Sequence, residues 1–86
     1  MQIIYSPKFD REYKKLPNKI KDIAEKQEKV FRKDPFDARL KTHKLHGKLR
    51  DFYSFSIGYK YRIIFEFDDN KSTIYFHAIG THSIYQ

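Results

Sequence analysis

"FYSFSIGYKYRIIFEFDDNKSTIYFHAI", residues 52–79, is the stretch that decides the fold. Tyr53, Phe55 and Ile57 alternate with Phe52, Ser54 and Ser56, the period of two that marks a strand with distinct faces. "YRIIFEF" at 61–67 follows Gly58-Tyr59-Lys60, and the polar turn "DDNK" leads into "STIYFHAI" at 72–79. Three consecutive strands joined by short turns predict an antiparallel meander. His77 is expected on the face opposite Phe76 and Ala78, as a hydrogen-bonded structural residue.

Upstream the period changes. "QIIY" at 2–5 is a short apolar run and reads as a first strand. Ser6 then offers an N-cap and Pro7 occupies the first helical position, where its missing N–H costs nothing. Phe9, Tyr13 and Leu16 recur at spacings of four and three, one face of a helix. Pro17 ends it and can open the next, in which Ile20, Ile23, Ala24, Gln27, Val30 and Phe31 share a stripe. "KDPF" at 33–36 stops that helix, because a residue before proline is biased away from helix. The order is therefore β-α-α-β-β-β, an α+β fold with an antiparallel sheet, a helical hairpin on one face and the other face open. No repeat or linker interrupts it, and residues 1–86 read as one domain.

Fifteen aromatic residues, eight Phe and seven Tyr, supply the bulk a chain of 86 residues needs. There is no cysteine, so disulfides and thiolate metal sites are excluded. The N-terminus has no cationic start leading into an apolar core, and no apolar run approaches the ~20 residues of a membrane span. A soluble cytoplasmic protein without membrane partners is the expectation.

The net charge is +7, and residues 1–50 hold 15 Lys/Arg against 7 Asp/Glu, leaving 3 against 4 in the remainder. Basic charge concentrated in one part of a small fold favours a polyanion, nucleic acid above all. Residues 38–50 contain Arg39, Lys41, Lys44, Lys48 and Arg50 with no acidic residue, and His43 and His46 lie among them. The bland alternative is a mobile basic surface loop anchored by Leu40, Leu45 and Leu49. His43 and His46 form an H-x-x-H pair, but zinc wants three or four ligands and would sit here among five cations. No metal or cofactor is expected.

His82 follows the turn-permissive Gly80, just past the last strand. Set beside the 38–50 loop, His43 and His82 would flank one phosphate, sharing the general-base and general-acid roles in either order, with Lys and Arg stabilising the transition-state charge. RNA cleavage without a metal needs just those parts, because the substrate brings its own 2′-hydroxyl. Tyr59, Tyr61 and Tyr85 are candidates for stacking on bases.

"KLHGKLRDFYSFSIGYKYRIIFEF" at 44–67 resembles the central block of the RelE/ParE superfamily of bacterial toxins, with its leucine-and-glycine turn and "YR" strand. "GTHSIYQ" at the end is similar to the C-terminus of the YafQ-like branch, the ribosome-dependent mRNA interferases of type II toxin–antitoxin systems. The resemblance implies a toxin that cuts A-site codons on the ribosome without cofactor, and a cognate antitoxin as partner. It places the catalytic residues at His43, His82, Tyr61 and Tyr85; by charge alone, Lys60 joins the loop cations as an expected RNA or phosphate ligand. The pattern departs at three positions: Ser56 stands for a polar catalytic residue, Lys60 for an acidic one, and Ala78 for the last-strand arginine that holds the cleaved phosphate. Lys41, Lys44 or Arg50 would replace that charge, and Arg62 is read as structural. Two alternatives accompany the resemblance: a noncatalytic ParE-like toxin that binds DNA gyrase, and a degenerate member that binds only its antitoxin.

Overall fold

Ser6 begins the first helix as its residue type dictates, its Oγ accepting from the Phe9 N–H at 2.9 Å. The computed structural model describes residues 1–85. Strand β1 (Gln2–Tyr5) leads into α1 (Pro7–Lys14) and α2 (Asn18–Lys33). A 3₁₀ turn, Ala38–Leu40, precedes the two-residue β2 (His43–Lys44), and a second, Gly47–Leu49, precedes the meander. That meander is β3 (Tyr53–Ile57), β4 (Tyr61–Phe67) and β5 (Thr73–Gly80), with a last 3₁₀ turn over His82–Tyr85. Among the described residues no helix is long and apolar enough to cross a membrane.

The expected order stands, with two additions from long-range pairing. The five-stranded sheet runs β1-β5-β4-β3-β2, and β1 lies parallel to β5 while the other pairs are antiparallel. β2 emerges from the basic loop because His43 and Lys44 pair with Ser54 and Tyr53.

The two helices cover one face. Phe31 stacks on Phe55 at 4.8 Å and meets Phe65 and Phe76 edge-on at 4.9 and 5.3 Å. Gln27, on the same stripe, is a tether instead of a core residue. Its Nε2 donates to the Ser56 carbonyl at 3.2 Å and reaches the Arg39 carbonyl at 3.4 Å, tying α2 to β3 and the 38–40 turn. Leu40 is buried in this helix-side core.

The opposite face is not fully open as expected. Leu45, Ile64 and Ala78 form a second buried cluster, with Leu49, Phe52, Ile84 and Tyr85 packed against it. Leu45 and Leu49 thus anchor the basic loop to the outer face, and residues 84–85 fold back over the same spot. Each such aliphatic side chain contributes about 1.5–3 kcal/mol when fully buried, enough to hold short segments that have little regular hydrogen bonding.

A bulge in β5 decides what else faces outward. Ile64 pairs with Ala78 but Phe65 pairs with Phe76, so His77 is an extra residue in the ladder. His77 and Ala78 consequently share the outer face, which corrects the expected alternation, and Ile79 returns to the helix-side core. Helix α1 satisfies the disrupted backbone. Glu12 Oε1 accepts from the Ile79 N–H at 3.0 Å, and the Ser6 hydroxyl donates to the His77 carbonyl at 2.9 Å.

Candidate active site

Strand register assembles the outer face in two rows. His43, Ser54, Ile64 and Ala78 are successive partners across β2, β3, β4 and β5, and Ser56, Arg62 and Gly80 form the next row. Directly opposed residues project to the same side with Cβ atoms about 5 Å apart. The chain then leaves β5 at Gly80 and turns back through residues 82–85 over this surface.

Gly80 permits that return by steric necessity. A Cβ there would lie 2.5 Å from Ile84 Cγ2. The turn brings His82 and Tyr85 together, with ring centroids 5.0 Å apart and nearly perpendicular planes. The Tyr85 hydroxyl and the buried Ser54 Oγ are 2.7 Å apart in a hydrogen bond. Ser54 is in turn the ladder partner of His43. Tyr85 therefore touches His82 through its ring and, through its hydroxyl, Ser54, the ladder partner of His43.

His43 itself is oriented by the backbone. Its Nδ1 lies 3.2 Å from the Lys41 carbonyl oxygen. A carbonyl only accepts, so the neutral ring carries its proton on Nδ1 and leaves Nε2 as an acceptor. Lys41 reaches this position in the left-handed region, φ 54°, at the end of the 38–40 turn.

Beyond His82 lies an open cleft of about 350 Å³ lined by Tyr59, Lys60, Arg62, Thr81 and His82. Arg62 donates from Nη1 to Ser56 Oγ at 2.8 Å and to the Tyr61 carbonyl at 3.3 Å. No carboxylate pairs with it among the described residues. A half-buried guanidinium held by neutral oxygens, beside a second cation and an imidazole, has the chemistry to accept an anion.

Arg62, expected to be structural, is thus a cleft residue, and the signal for it lies in the sequence. Ile63, Phe65 and Phe67 point to the helices, so Arg62, Ile64 and Glu66 must point away. The other candidates divide. Lys60 lines the cleft, while Lys41, Lys48 and Arg50 belong to the neighbouring loop and are all exposed. Lys44 pairs with Tyr53, which faces the helix side. Arg39 donates through Nε and Nη2 to both oxygens of Asp37, each at 3.0 Å, and this pairing holds the Asp37 carboxyl down at about 2.

Tyr61 goes elsewhere, packing against the helix-side core opposite Ile57, and is not turned to the cleft. Tyr59 at the β3–β4 turn is 95% exposed and lines the cleft instead. Ala78, where the resemblance has an arginine, is 5% exposed inside the apolar cluster. His77 is occupied by Glu66, Nε2 to Oε1 at 2.8 Å, and by the edge of Phe52. His46 caps the 47–49 turn by backbone alone. Among the described residues no three His, Asp or Glu side chains converge as a metal site would require.

The fold, two helices behind a five-stranded sheet, is shared with solved toxin structures. YafQ from E. coli strain BL21(DE3) superposes with a TM-score of 0.79 at 17% identity, over 98% of this chain and 96% of that one. A YoeB/ParE toxin from Agrobacterium tumefaciens gives 0.81 at 13% identity, over 95% and 99%. The E. coli DinJ–YafQ toxin–antitoxin complex contains a chain that gives 0.77 at 18%, over 96% and 93%. No curated protein matches in sequence. The model of the bacterial toxin of type II toxin–antitoxin systems, YafQ, matches residues 1–85, and the chain belongs to that family. It is a type II toxin.

Proposed function

We propose that this toxin is an endoribonuclease that cuts mRNA in the ribosomal A site, with the scissile phosphate in the cleft between Arg62 and His82. The observation that carries the reading is the uncompensated guanidinium of Arg62 beside Lys60 and His82. Arg62 takes the part of the last-strand arginine that Ala78 cannot supply. It does so from the neighbouring strand, one row along the same face.

In this scheme His43 Nε2 removes the proton from the 2′-hydroxyl, because its Nδ1 is committed to the Lys41 carbonyl. The 2′-oxygen attacks the adjacent phosphorus, the bond to the 5′-oxygen breaks, and His82 returns a proton to that oxygen. The products are a 2′,3′-cyclic phosphate and a 5′-hydroxyl. Arg62 and Lys60 stabilise the extra negative charge on the phosphorane. Tyr85 positions His82, and Tyr59 offers an exposed ring for a base. The scheme calls on no metal. Lys41, Lys48 and Arg50 serve docking on ribosomal RNA, a long-range role in which exposed cations suffice.

An antitoxin is the protein partner, supported by family membership and by the DinJ–YafQ likeness. One observation favours a second reading, a noncatalytic toxin that binds DNA gyrase: Ala78 is sealed within apolar side chains. Primer extension on a reporter mRNA in a reconstituted translation reaction separates the two. Wild type should yield discrete cuts within codons, and His82→Ala and Arg62→Ala should not. Uncut mRNA with wild type would refute the nuclease reading, and undiminished cutting by Arg62→Ala would remove that residue from the site.

A further inference from the structure

The face turned away from His82 carries a second concavity with the opposite electrical character. Between α1 and α2 an open slot of about 310 Å³ has Phe9, Ala24 and Ile63 as its buried floor and Tyr5 and Tyr13 as its aromatic walls. Its rim is acidic: Asp10, Glu25 and Glu28, three of the seven carboxylates in the otherwise strongly basic first 50 residues. Glu28 accepts from the Tyr5 hydroxyl at 2.8 Å and faces Arg32 at 3.6 Å. Asp10 and Glu25 have no ion-pair partner among the described residues.

Both phenols sense the same field. Burial, then the hydrogen bond and charge of Glu28, push the Tyr5 hydroxyl above its usual range. Burial, then Glu25, Glu28 and Asp22, do the same to Tyr13. The ring of Tyr13 already attracts one cation of the chain itself, Lys21 Nζ at 5.8 Å from its centroid. An apolar floor, aromatic walls and free carboxylates suit an alkyl stem with a cationic head. They repel a phosphate, so this slot does not extend the RNA surface.

We propose that the slot docks a partner polypeptide by taking an arginine or lysine side chain that is flanked by apolar residues, its stem between Tyr5 and Tyr13 and its head at Asp10 and Glu25. This rests on the antitoxin reading for whose side chain it is, and it makes the docking segment basic at this point although the toxin as a whole is basic. A segment seated there lies behind the sheet and leaves the His82 cleft uncovered.

The test uses the full chain, labelled for amide NMR, titrated with the peptide Ac-Leu-Arg-Leu-NH₂ and with its norleucine and glutamate counterparts. The arginine peptide should give saturable shifts at Phe9, Ala24 and Ile63, and the others should not. Asp10→Asn with Glu25→Gln, both exposed in the wild type, should weaken that binding about fivefold while leaving the spectrum of a folded protein. Equal binding of the norleucine peptide would overturn the proposal, as would binding unaffected by the two neutralisations or shifts confined to other surfaces. The antitoxin reading is tested separately, by co-purification of an antitoxin with the wild-type chain. Its failure leaves the peptide result standing.

Discussion

Gly80→Ala gives the sharpest test of how the C-terminal turn is held. The added Cβ would lie 2.5 Å from Ile84 Cγ2, at least about 1 Å inside ordinary carbon–carbon contact. Ile84 cannot simply rotate away, because β-branching restricts its χ1 and its other contacts lie in the Leu45–Ile64–Ala78 cluster. The whole His82–Tyr85 turn must therefore lift. Overpacking of this kind costs about 1–3 kcal/mol. A catalytic group displaced by about 1 Å loses roughly 100-fold in rate. Activity should fall much further than stability.

Single-turnover cleavage of mRNA on stalled ribosomes, read by primer extension, gives the rate, and urea unfolding gives the stability. The double variant Gly80→Ala/Ile84→Ala removes the colliding methyl and should recover most of the rate, although it forfeits buried area. A Gly80→Ala chain that cleaves as fast as wild type would refute the idea that this contact positions His82. So would a double variant no faster than the single one.

Three further outcomes are expected. Tyr85→Phe leaves the buried Ser54 hydroxyl without its partner and should cost about 1–3 kcal/mol in urea unfolding; Ser54→Ala on that background should recover part of it. Glu12→Ala removes the acceptor of the Ile79 N–H, so that amide should exchange faster with solvent and stability should drop by about 1–2 kcal/mol; an unchanged exchange rate at Ile79 would show that Glu12 does not support the bulge. The Asp37 carboxyl, lowered from 3.8 to about 2 by Arg39, should titrate near that value by NMR and return towards 3.8 in Arg39→Gln. Because its folded value is depressed, what Asp37 contributes is present above pH 3.8 and lost as the pH falls through about 2.

Elements built from local pattern are legible in the sequence. The Ser6 cap, the Phe9–Tyr13–Leu16 face and the Phe31 stripe act within a few residues of one another, and so do the strands of the meander. Pairing that spans the chain is not. Nothing in "QIIY" says that it will lie parallel to β5, and His43–Lys44 become a strand only because Ser54 and Tyr53 offer an edge.

The site is half legible for the same reason. His82 and Tyr85 are neighbours in sequence and meet in space, but the Ser54 hydroxyl joins them from 31 residues away. Tyr61, expected in the site, packs against the helix-side core, and Arg62, expected to be structural, lines the cleft, although the alternation of Ile63, Phe65 and Phe67 fixes which of the two faces it. The bulge leaves a trace as well: core residues at 74, 76 and then 79 slip by one step.

That slip has a bearing on how toxins of this fold diverge. A single supernumerary residue divides β5 into two segments whose inside and outside are assigned in opposite phase. A chain of this fold without it would present side chains one position apart at the same point in space. An arginine could thus migrate between neighbouring positions, or pass its duty to β4 as Arg62 would here, without any change in the hydrophobic interior. Helix α1 makes this shift tolerable, since Glu12 and Ser6 satisfy the backbone groups that the extra residue releases. The helix hairpin is thereby coupled to the outer face through the thickness of the sheet, by two hydrogen bonds rather than by any residue of the cleft.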